Sequence, residues 1–99
     1  MTQPPIMIDN SRRLYFASDV VLQVINGEAL VLKLQDETVF SLNDTGARIA
    51  QLIDRGHPID DVTAMLSREY GVSRREVEVE VTRLVQMLRS KGLVVDRIA

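Results

Sequence analysis

Apolar residues alternate with polar ones through the first half of the chain and recur at helical spacing through the second, with the switch near Asn43. From Ser18 to Ile25, Val20, Leu22 and Val24 alternate with Val21, Gln23 and Ile25, which predicts a strand buried on at least one face. Asn26-Gly27 follows, and both residue types accept the positive φ of a two-residue hairpin turn. Leu30, Leu32 and Leu34 form a second alternating set, and Gln35-Asp36-Glu37 reads as a turn. Thr38, Phe40 and Leu42 then alternate with Val39 and Ser41, completing a three-stranded meander. Asn43 stands where a helix N-cap belongs, so this third strand should run into a helix without a loop.

Three helices are expected after it. The first spans about Asp44 to Asp54, with Ile49, Leu52 and Ile53 inward and Gly56 just past its end. Pro58 opens the second, where its missing N–H has no intrahelical partner. That helix turns Ile59, Val62, Leu66 and Tyr70 inward. Ser73-Arg74-Arg75-Glu76 is a capping box that opens the third. At about 100° per residue, Val77, Val81, Leu84 and Leu88 share one face, flanked by Val85 and Met87, with Val79 opposite. Leu93-Val94-Val95 returns as a short extended piece. The expected fold is α+β: a three-stranded antiparallel sheet followed by three helices. Residues 1–13 hold two prolines and no periodicity and read as a flexible N-terminal arm, leaving 14–99 as the domain.

Composition narrows the function. A chain of 99 residues holds one small core and no deep enclosed active site. No apolar run approaches the ~20 residues of a membrane span. Without cysteine there are no disulfides or thiolate metal sites, which fits a cytoplasmic protein. The single histidine, His57, precedes Pro58 and reads as a solvated loop residue. No cofactor, metal or catalytic constellation is expected. Asp60, Asp61, Glu76, Glu78 and Glu80 cluster at helix starts, where they complement the helix dipole. The second and third helices resemble a helix-turn-helix, but the net charge is −2 and the first half of the third helix is acidic, which argues against nucleic acid.

The segments Phe40-Ser41-Leu42-Asn43-Asp44-Thr45-Gly46-Ala47, Glu69-Tyr70-Gly71-Val72 and Lys91-Gly92-Leu93-Val94 carry, in order and spacing, a resemblance to the PqqD family. It covers about Glu28 to Val94. Where many relatives have Trp this chain has Ala50, and its Leu-Asn-Asp-Thr-Gly-Ala run is closer to the wider PqqD-like group than to the pyrroloquinoline quinone proteins.

The resemblance implies a winged-helix-like domain, a recognition element that binds the leader of a ribosomally made precursor peptide and presents it to a modifying enzyme. That partner would be a radical S-adenosylmethionine enzyme or a leader peptidase, in a pyrroloquinoline quinone, lasso-peptide or related pathway. In the family the leader adds as a strand to the third strand of the sheet, beside the third helix. Carried onto this chain, the peptide-binding residues are Thr38, Val39, Phe40, Ser41 and Leu42 on the strand, with Arg74, Val77, Glu78, Val81 and Val85 on the helix. Of these, Val39, Ser41, Arg74, Glu78 and Val85 are expected to be the less buried. The residues also leave room for a winged-helix DNA reader, or for a structural subunit that binds only its enzyme, and for either a monomer or a homodimer.

Overall fold

The computed structural model describes residues 13–97. Strand β1 (Arg13–Phe16) leads into the meander β2 (Val20–Ile25), β3 (Glu28–Lys33) and β4 (Thr38–Leu42). Helices α1 (Asp44–Asp54), α2 (Ile59–Tyr70) and α3 (Arg74–Ser90) follow, and β5 (Val94–Arg97) closes the chain. The meander forms an antiparallel sheet in the order β2-β3-β4, so the architecture is the expected α+β, winged-helix-like one. A second sheet pairs β1 with β5 antiparallel, Arg13 opposite Arg97 and Phe16 opposite Val94. Most of the expected arm lies outside the described residues, and Arg13 itself begins β1.

Local chemistry explains the elements. Asn26 and Gly27 adopt φ of 52° and 81°, the left-handed pair of a hairpin turn whose twist matches that of the flanking strands. Asn43 caps α1, its Oδ1 accepting from the Gly46 N–H at 2.9 Å. A Cβ on Gly46 would stand 3.4 Å from both that oxygen and the Leu42 Cβ, so glycine lets the cap and the end of β4 pack closely. The capping box of α3 is formed in both directions: Ser73 Oγ accepts from the Glu76 N–H, and Glu76 Oε1 accepts from the Ser73 N–H, each at 3.2 Å.

The core gathers Ala29, Val31 and Leu42 from the sheet and Ile49, Leu52, Ile53, Val62, Leu66, Val81 and Leu88 from the helices. Leu14 and Leu93, from the two ends of the described chain, are fully buried with them. The alternating leucines after the hairpin turn face away from this core. Ala29 and Val31 point inward, whereas Leu30 and Leu34 are exposed. Tyr70, expected inward, is exposed at the end of α2. Ala50 is fully buried in the core.

Candidate functional site

The register of the meander decides which backbone groups are free. In a two-residue hairpin the residues flanking the turn, Ile25 and Glu28, exchange both hydrogen bonds, and bonded pairs then alternate along the ladder. The Leu34 N–H donating to the Asp19 carbonyl at 2.9 Å continues this pattern, so the even-numbered residues of β3 bond towards β2. Ala29, Val31 and Lys33 therefore bond towards β4, to Leu42, Phe40 and Thr38. That leaves the N–H and C=O of Val39 and Ser41 pointing out of the sheet. Among the described residues no strand pairs with that side of β4. The Val39 side chain is 58% exposed, and Ser41 is exposed beside it.

A cavity of about 290 Å³ lies at the Ser41–Leu42 end of this edge. Ser41, Asn43 and Gly46 line one wall and Arg83, Leu84 and Met87 of α3 the other, with Ile49 between. Further back along β4, the Lys91 ammonium sits over the Phe40 ring, 5.0 Å from its centroid. Phe40 thus meets the C-terminal end of α3, while Thr45 and Ile49 share cavities with Glu80 further towards its start. Strand and helix run in opposite senses along the groove.

The strand residues named from sequence, Thr38 to Leu42, are thereby placed on one open edge, with Leu42 buried and Phe40 half-buried as its inner footing. The helix residues divide. Val77, Val81 and Val85 are buried. Val85, expected to be accessible, is only 6% exposed and belongs to the core. Glu78 is exposed in a shallow surface depression with Arg75, Thr82 and Gln86, outside the lining of the β4 groove. Arg74 is turned to Asp60 of α2, 2.6 Å away, where it ties the starts of two helices together. The groove wall is instead the other flank of the stripe, Glu80, Arg83, Leu84 and Met87. Sequence reasoning had Leu84 and Met87 on the correct face but could not say which flank turns to β4.

Charge along the exposed side of α3 is mixed, with Arg75 and Arg83 interleaved with Glu76, Glu78 and Glu80, and Arg83 lies 3.5 Å from Glu80. Such a surface offers a phosphate backbone no uninterrupted basic stripe. His57 is half-buried in the loop between α1 and α2. Among the described residues no group of three or more His, Asp or Glu is placed to hold a metal ion. Nor is any helix among them long and apolar enough to cross a membrane.

An open strand edge beside a helix-walled groove defines a small docking module. Residues 28–94, about two-thirds of the chain, match the family described as coenzyme PQQ synthesis protein D (PqqD), and the chain belongs to that family. Two solved structures are similar. TbiB1 in complex with the TbiA(beta) leader peptide is 30% identical with a TM-score of 0.76, over 81% of this chain and 93% of that one. Lasso peptide synthetase B1 complexed with the leader peptide is 28% identical with a TM-score of 0.73, over 86% of this chain and 98% of that one. Among curated proteins none is similar enough to match.

Proposed function

We propose that this chain is a non-catalytic adaptor that captures the leader of a ribosomally synthesised precursor peptide and presents it to a modifying enzyme. The leader adds as an antiparallel strand to β4, with 14–99 as the binding unit. The carrying observation is the pair of outward-facing backbone positions, Val39 and Ser41, on an unpaired edge above a groove. Main-chain bonds to that edge supply affinity, and alternate peptide side chains entering the groove against Leu84 and Met87 supply selectivity. TbiB1 and lasso peptide synthetase B1, the similar structures, each hold a leader peptide, which supports the same ligand class here. The likeness to lasso peptide synthetase B1 supports a lasso-type pathway, in which we take the enzyme served to be a leader peptidase, over a pyrroloquinoline quinone pathway with its radical S-adenosylmethionine enzyme. An adaptor of this kind works in the cytoplasm, where its precursor is translated.

The test is a titration of isotopically labelled protein with the TbiA(beta) leader peptide, followed by amide shifts. Shifts centred on 38–42 and α3 are expected; shifts confined to α2 or to the N-terminal residues reject the proposal. Because the bonds are backbone to backbone, Ser41→Ala should change affinity by less than about threefold. Val39→Pro removes an outward N–H without touching the β3 ladder, so it should weaken binding about tenfold or more while the protein stays folded.

A further inference from the structure

The meander has a second open edge, on β2. Ile25 and Gln23 exchange hydrogen bonds with Glu28 and Leu30 of β3, so the N–H and C=O groups of Leu22 and Val24 point out of the sheet on the far side. Among the described residues no strand pairs with that side of β2. The open stretch starts at Leu22, because the Val20 N–H already donates to the Ala17 carbonyl at 3.0 Å. Edge strands are commonly guarded against other chains by a lysine, a proline or a bulge. β2 reads Val-Val-Leu-Gln-Val-Ile in unbroken register and has none of these. No charged residue stands between Asp19 and Glu28. Val21 and Ile25 are exposed on the outer face of the sheet. Val24 lies on the helix-facing side, opposite Ala29, yet is 38% exposed, so the helices stop short of this edge and leave room for a neighbour.

The register of β2 selects the occupant. Laid antiparallel about a two-fold axis at Gln23, two copies bring Leu22 opposite the partner's Val24 and Val24 opposite the partner's Leu22. These are the residues whose backbone groups point outward, so each pair exchanges both of its hydrogen bonds. Gln23 falls opposite the partner's Gln23 at a non-bonded position, with Cα atoms about 4.5 Å apart, where the two side-chain amides reach each other. On the outer face Val21 meets the partner's Ile25, and each covers apolar surface that the single chain leaves in water. The flanking acids do not oppose one another: Asp19 falls opposite the partner's Gly27, and Glu28 opposite the partner's Ser18. Parity, charge and side-chain match are thus all satisfied by β2 itself. We propose that β2 is a self-association edge, and that two copies of this chain pair β2 to β2 and join their three-stranded sheets into one continuous antiparallel sheet. Both β4 edges then lie at the outer ends of that sheet, clear of the contact. The contact is small, so the dimer forms and separates at about 1–100 μM protein.

Sedimentation equilibrium of the full chain across that range, without peptide, tests this independently of peptide capture. Gln23 is exposed on the outer face, so Gln23→Lys and Gln23→Glu should keep the fold, as checked by circular dichroism. The parent should self-associate. Each variant sets two like charges face to face at the axis and should weaken the dimer about tenfold or more, while an equimolar mixture of the two should restore it. The chain has no cysteine, so Gln23→Cys supplies a single thiol close to its own copy across the axis. It should form a covalent dimer with oxidised glutathione, and Val39→Cys on β4 should not. A parent that stays monomeric throughout the range overturns the proposal. So do charge variants that associate like the parent, or cross-linking that favours Val39→Cys over Gln23→Cys.

Discussion

The molecule carries two small antiparallel sheets that are built in opposite ways. The meander β2-β3-β4 is made from consecutive segments joined by short turns, while β1 and β5 come from opposite ends of the described chain and meet only after three helices have intervened. The meander keeps an outer edge unpaired and shows Val21, Leu30 and Val39 to solvent. The β1–β5 pair buries Leu14 and Val94 and draws Leu93 under it, with Ala17 N–H donating to the Leu93 carbonyl at 2.9 Å. One sheet is local in sequence and incomplete at its edge; the other is non-local and serves closure. The proposed ligand site lies where pairing is unfinished, and the closing sheet lies where the two limits of the described chain are joined.

If that division holds, the largest effect on folding should come from the closing sheet. Leu14→Ala removes a fully buried side chain and should cost about 2–5 kcal/mol in a urea titration. A loss below about 1 kcal/mol would show the β1–β5 pair to be an accessory and dissolve the contrast. Next comes the hairpin turn. Gly27 has φ of 81° with open space around its Cβ position, so Gly27→Ala adds only backbone strain, about 1 kcal/mol in thermal unfolding. Peptide affinity at β4 should be unchanged by it, since the β3–β4 register does not depend on that turn.

The smallest effect is expected at Asp19, whose carboxylate holds Lys33 Nζ at 3.2 Å between the start of β2 and the end of β3. Burial acts to raise the Asp19 pKa, but the hydrogen bond and charge of Lys33 outweigh it and hold the carboxyl below its ordinary value. A lowered folded pKa means the stabilisation is complete at neutral pH, above the unfolded value, and is lost as pH falls through the folded one. Lys33→Met should therefore melt slightly lower than the parent at neutral pH. The two curves should converge in acid; a gap that widens there would contradict the sign.

The same contrast explains what could be read from the sequence. The meander, the Asn26-Gly27 turn, the Asn43 cap and the α3 capping box are local signals, each set by residues within a few positions of one another. Strand β1 is not legible in the sequence because Leu14 and Phe16 gain their meaning only from pairing with Asp96 and Val94, far along the chain. Leu30 stands out by size, yet the smaller Ala29 and Val31 face the core; alternation gives the two faces without saying which is inward. The site shows this limit most sharply. The α3 stripe was legible, but its two flanks are equivalent in a periodicity argument, and only the packing against α1 and the sheet decides that Arg83, Leu84 and Met87 face β4 while Val85 is buried. Arg74 pairs with Asp60, a contact that no spacing rule anticipates.

The pairing of Arg13 with Arg97 brings the two limits of the described chain to neighbouring positions, with Cα atoms about 5 Å apart. A polypeptide that enters and leaves at one point can be spliced into the surface loop of another protein like a bead on a clasp, with no long linker to span. The β4 edge belongs to the other sheet, so such a graft leaves its backbone groups unaltered. Tethered that way, the module would hold its captured peptide at high local concentration beside whatever catalytic domain hosts it, and the encounter between the two would cease to depend on dilution.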